Sequence, residues 1–176
     1  VAKQAPKAAK QAAKKTGPKR GNTPPNRYRD KAKKEKTKKG PRDHLRKGKG
    51  KGDYRGGAHS ETSKPRNDGK DSHHMPADDA SPLPQKDGPA IQMDPKDHKK
   101  TASNGNNGLA GKEYRKQIAE KISQGKWRDA MATEIKDARR VAKKAGDSKK
   151  YNEAIKESLA YFKCLEKHGL LKKSGE

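Results

Sequence analysis

Asp71-Ser72-His73-His74-Met75-Pro76, a loop over 77–89, and Ala90-Ile91-Gln92-Met93-Asp94-Pro95-Lys96-Asp97-His98 together decide how the centre of this chain folds. The first segment reads as a strand end or turn. Three prolines and one glycine keep 77–89 out of regular structure. Ala90 to Met93 reads as a short apolar strand. Asp94-Pro95 then announces a helix, with Asp at the N-cap, Pro at the first helical position and Asp97 in the first turn. His98 falls on that turn or just after it. A strand, loop, strand and helix start in this order bring His98 back beside His73. Adjacent histidines on an extended chain point to opposite faces, so His73 and His74 cannot share one role.

Upstream, Asp53 to Ser63 reads as one strand in which Gly56-Gly57 permits a bulge or a close approach. Downstream, the helix begun at Asp94 fades by Asn104-Gly105-Asn106-Asn107-Gly108. The last third is the most regular. Tyr114, Ile118 and Ile122 recur at four residues, with Gly125 as a stop. Trp127, Met131, Ile135, Ala138, Val141 and Ala145 line one face, with Gly146 past the end. Tyr151, Ile155, Leu159, Phe162 and Leu165 line another, ended by Gly169. These are amphipathic helices closed by C′ glycines, and three of them can pack together and cap the small central motif. Trp127 and Tyr114 fall at core positions of these helices rather than as base-stacking platforms.

Composition sets the limits. The chain has 176 residues, 26% hydrophobic and 39% charged, with a formal net charge of +24. That is too little apolar material to bury a core along the whole length. Residues 1–52 hold 20 Lys and Arg against Asp30, Glu35 and Asp43, a net of +17, which leaves +7 for residues 53–176. With the element reading above, the expected fold class is α+β, with a disordered basic arm over 1–52, a small strand-and-turn motif over 53–108 and a three-helix region over 109–176. A basic arm beside a milder domain suits a polyanion, because neutralising phosphates releases condensed counterions. Cys164 is the only cysteine, which excludes a disulfide framework and a cysteine-based zinc site. No apolar run approaches the ~18 residues of a membrane span. The start, Val1-Ala2-Lys3-Gln4, lacks an initiator Met and a signal peptide's apolar stretch, and reads as a piece cut from a longer protein.

Two imidazoles from a hairpin and a helix make a partial metal site, to be completed by carboxylate, amide, water or substrate phosphate. Phosphodiester hydrolysis needs such a cation to offset charge on the phosphate and the leaving oxygen. It also needs a base with a pKa near neutrality to activate water, and histidine fits. The rival reading leaves the histidines as solvated residues of a polar loop and the basic arm as the working part. His44, in the arm, and His168, at a helix end beside the C-terminal dipole, are read as non-catalytic.

The ordered string from Ser72-His73-His74 to Asp97-His98 resembles the ββα-metal motif of HNH/endonuclease VII nucleases. It is closest to the bacterial toxin versions marked by a small residue before His-His, and is similar to colicin DNases. The 24-residue interval from His74 to His98 is also similar. The resemblance covers roughly residues 54–108 and implies His74 as general base, with His73 and His98 as ligands of a divalent cation. Ala102 stands where colicin-type sites carry a further histidine, and no Asn lies between His74 and His98. Asp94, Asn104, His59 and Gln92 are candidates for supporting the site. Few imidazoles among many oxygens favour Mg²⁺, with Zn²⁺ and Ni²⁺ as alternatives.

The resemblance implies a metal-dependent endonuclease, with DNA the favoured substrate, acting as the toxin domain of a larger secreted or cell-delivered bacterial protein. It also implies an acidic immunity protein to protect the producer. Lys96, Lys99, Lys100 and Arg115 are candidates for holding the nucleic acid. The alternatives are an RNase using the same residues, and a non-enzymatic nucleic-acid-binding protein that works through its arm.

Overall fold

A computed structural model describes residues 45–173 of the chain. The part of the basic arm before residue 45, with its Ala/Lys-rich start and His44, lies outside the described residues. Within them the fold is α+β, with three strands and five helices. Strand β1 is Gly56–Ala58, β2 is Asp71–His74 and β3 is Pro89–Met93. The strands pair antiparallel in the order β1-β3-β2, which puts His73 opposite Ile91 and His74 opposite Ala90. Two short helices, α1 (His59–Thr62) and α2 (Pro95–His98), follow β1 and β3. The long helices are α3 (Gly108–Ser123), α4 (Trp127–Lys144) and α5 (Asn152–Lys167).

Every residue of the central strand β3 is buried. Ile91 and Met93 are fully so, each worth about 1.5–3 kcal/mol of transfer free energy. Helix α5 covers β1 and β3. It comes close enough that a Cβ on Gly56 would run into the backbone of Ala154. The glycine is there because a strand and a helix backbone touch. The long helices stop where expected: Gly146 follows α4 with φ 96°, a conformation that glycine adopts without strain.

Three sequence expectations are altered. The strand expected over 53–63 ends at Ala58, and His59 starts a helical turn whose first N–H donates to Gly88 O at 2.9 Å. Asp94 occupies the N-cap of α2, but its carboxylate makes no capping bond. It accepts instead from Tyr54 Oη at 2.9 Å and pairs with Lys150 Nζ at 2.6 Å. Finally, the end of the arm is anchored. Leu45 is buried, Arg46 pairs with Asp87 at 2.9 Å, and Ala58 N donates to Lys47 O at 2.7 Å.

Two struts join the helices to the centre. Helix α4 presents Glu134 and Asp137, both buried. Glu134 Oε1 accepts from Ala77 N at 3.2 Å, and Asp137 Oδ2 accepts from Ala102 N at 2.6 Å. At the start of α5, Lys150 lies between Asp94 and Asp97, and Tyr151 donates to Asp97 at 2.6 Å. Together they fix the chain on both sides of the histidines.

Candidate functional site

Strand β2 is an edge strand, and its alternation sorts the histidines. On one face, Asp71 and His73 meet His98. His98 Nδ1 donates to Asp71 Oδ2 at 2.8 Å, and the His73 and His98 rings meet edge to face with centroids 5.2 Å apart. On the other face, Ser72 and His74 meet His59. Ser72 Oγ lies 2.8 Å from His59 Nδ1 and 2.6 Å from Thr62 Oγ1, and the His59 ring stacks on His74 at 4.1 Å. Among the described residues no strand lies beyond β2, and side chains from both faces reach a single cavity of about 500 Å³. Asp78, Gln85, Asn104 and Arg115 complete much of its wall.

His74 is clamped. Its Nε2 lies 2.9 Å from the carbonyl oxygen of Gln85. A carbonyl can only accept, so Nε2 carries the hydrogen and Nδ1 keeps its lone pair. The clamp itself is braced: Tyr161 of α5 donates to Asp87 O at 2.7 Å, two residues further along the same turn. Gly88 makes room for the ring, since a Cβ there would stand 2.7 Å from His74 Cδ2.

His98 follows the same logic. With its Nδ1 hydrogen on a carboxylate, Nε2 is left as the donor atom for a cation, an arrangement recurrent behind metal-bound histidines. His73 is nearly enclosed, and its Nε2 is buried without a hydrogen bond. The facing atom, 3.8 Å away, is Glu134 Oε2, also buried and without a hydrogen bond.

Burial dominates the titration of this cluster. It pushes the Glu134 carboxyl up to about 8 and, aided by His98 and His74, holds His73 well below its ordinary value. Burial thus disfavours the charged form of both partners in the Glu134–His73 contact. His59 is held down to about 3 by burial and then by His74. His74 is lowered by burial, against the opposing pull of the Asp78 carboxylate and the Gln85 carbonyl. Three uncharged imidazoles with lone pairs to offer thus meet at one cavity.

The donor set suits a cation only partly enclosed by protein. Among the described residues, no group of three or more His, Cys, Asp or Glu side chains is arranged to hold a metal ion. His73 and His98 would supply two imidazoles, each with a carboxyl group behind it, and leave the remaining positions to water and phosphate oxygens.

Of the residues singled out from the sequence, His73, His74, His98, His59, Asn104 and Arg115 line this cavity. Asn104 acts from its rim, donating to His98 O at 3.1 Å, and Arg115 donates to Ser103 O at 2.9 Å. Gln92 and Asp94 lie outside it. Gln92 braces β3 from behind, accepting from Arg55 N at 3.0 Å and donating to Asp68 Oδ2 at 2.9 Å. Asp94 is committed to Tyr54 and Lys150. Lys96, Lys99 and Lys100 are exposed and outside the cavity wall.

Sequence reasoning missed Asp71, Gln85, Gly88 and Glu134, and read Ser72 only as the small residue before the histidine pair. Glu134 had a legible signal, because 127, 131, 134, 138 and 141 follow the four-and-three spacing of a buried stripe, and an acid at its centre is out of place. Gln85 acts through its backbone and leaves no side-chain signature. No family model, no curated protein and no solved structure matches this chain.

Proposed function

We propose that this chain is a metal-dependent endonuclease of the HNH/endonuclease VII type, with β2, β3 and α2 as its ββα-metal motif. The observation that carries the reading is the clamped ring of His74, beside a His73–His98 pair already turned towards each other. His74 Nδ1 takes the proton of an attacking water, and the Gln85 carbonyl keeps the ring in the tautomer that can do so. A divalent cation bound to His73 and His98 would offset charge on the scissile phosphate and the leaving oxygen. Asn104, through the His98 carbonyl, holds the loop that follows α2. Arg115, at the cavity wall, pairs with a phosphate of the strand being cut. The net charge of +24 supplies affinity for the backbone irrespective of sequence. DNA is the proposed substrate. The same reading carries the toxin role and an acidic protective partner that the resemblance implies.

The test is cleavage of supercoiled plasmid with Mg²⁺, with EDTA, and by His74→Ala with Mg²⁺. Wild type is expected to nick the plasmid, and both EDTA and the substitution are expected to stop it while a gel shift persists. A wild-type protein that shifts plasmid but cuts neither DNA nor RNA with Mg²⁺, Mn²⁺, Ni²⁺ or Zn²⁺ would sink the catalytic reading, and the chain would be a non-enzymatic binder.

A further inference from the structure

Glu134 sits at an unusual place for a carboxyl group. It comes from α4, far along the chain from the histidines, and is fully buried. One oxygen is satisfied by Ala77 N, while the other has no hydrogen bond and faces the equally unpartnered Nε2 of His73. An unsatisfied buried polar group leaves its desolvation uncompensated, and here two such atoms face each other across 3.8 Å. A leucine would fill this position of the apolar stripe without that penalty. The neighbouring ring gives the comparison: His98 has the carboxylate of Asp71 on its Nδ1 at 2.8 Å. The two carboxyl groups stand behind the two imidazoles of the proposed metal pair.

Resting on the proposed metal-dependent reading, we infer that Glu134 is a positioning residue, a carboxylate that accepts from His73 Nε2 and so turns Nδ1 of that ring towards the cation, as Asp71 does for His98. Once Nδ1 is committed to a cation, any proton on that nitrogen passes to solvent, the ring's remaining hydrogen sits on Nε2, and the carboxylate receives it. Closing the gap to hydrogen-bond distance takes a shift of about 1 Å, in keeping with site geometry that tightens on loading. The arrangement gives α4 a part in the chemistry although none of its side chains lines the cavity.

Glu134→Gln tests this with little change of shape. Its Oε1 can still accept from Ala77 N, but its amide now donates towards His73 and favours the tautomer with hydrogen on Nδ1. Co²⁺ binding to the full chain would be followed by calorimetry and by visible absorption, without nucleic acid. Glu134→Gln and Glu134→Leu are each expected to weaken Co²⁺ about 10- to 100-fold, with the far-ultraviolet circular dichroism of the wild type. In wild type loaded with diamagnetic Zn²⁺, nitrogen-15 spectra of the rings should place the His73 hydrogen on Nε2. Wild-type affinity in both variants would overturn the role of Glu134 and leave the metal site standing. A His73 hydrogen found on Nδ1 in the loaded wild type would overturn it even if neither variant folds. Wild type that binds neither Co²⁺ nor Zn²⁺ would remove this inference and the metal-dependent reading together.

Discussion

His74 owes its posture to two small facts, a carbonyl on Nε2 and the absence of a side chain at residue 88. Gly88→Ala would push a methyl group against the imidazole edge and move Nδ1 without touching charge or phosphate contacts. The expected result is a fall in kcat of about 10²-fold with nucleic-acid binding retained, since misplacing a reacting group by about 1 Å has that effect. Single-turnover cleavage beside a gel shift would measure it, and a wild-type rate would mean that the clamp is dispensable. His59 gives a prediction in pH. Its folded value of about 3 lies below the ordinary 6.5, so the unfolded chain takes up the proton first. The stability this represents is complete above about pH 6.5 and drains away as pH falls towards 3. Thermal midpoints of the metal-free protein between pH 7 and pH 4 should decline, and the decline should be shallower in His59→Gln.

At the scale of elements, α2 is too short to hold His98 by its own backbone, and the Lys150 strut holds it instead. Lys150→Met would leave Asp97 buried, with Tyr151 alone to hydrogen-bond it. We expect a loss of roughly 2–4 kcal/mol in chemical denaturation. A midpoint unchanged from wild type would show that α2 is held by packing. This strut also marks where sequence reading stopped. Asp94-Pro95 correctly announced a helix start, yet the carboxylate was given to a cap when it belongs to a lysine 56 positions later. The long helices were legible because apolar spacing repeats over many residues, and His73, His74 and His98 because short spacings and strand alternation are local. Gln85 and Gly88 were not legible, since one acts through a carbonyl and the other through a missing side chain. β1 was overextended because polar residues 59–63 carry no periodicity that separates a strand from a helical turn.

For the whole molecule, charge and cavity are separable properties. Residues 1–44 carry much of the positive charge, and the histidine cavity lies wholly within the described residues. Deleting 1–44 should therefore flatten the dependence of DNA affinity on salt, a slope that scales with the number of phosphates neutralised. Metal-dependent cutting at low ionic strength should survive. Titrations between about 50 and 200 mM salt would show it, and an unchanged slope would mean that the binding charge lies in the folded part. The place of the cut matters because of the anchor at residues 45–48. Composition puts the frontier at residue 52, but Leu45, Arg46 and the Lys47 carbonyl are already part of the folded unit, and Arg46 grips the residue just before Gly88. A chain begun at residue 53 would lose more than affinity: the turn that clamps His74 would lose one of its outside supports, the Arg46–Asp87 pair. Two truncations eight residues apart should thus fail differently, the longer chain in its grip on DNA and the shorter also in its rate on DNA already held.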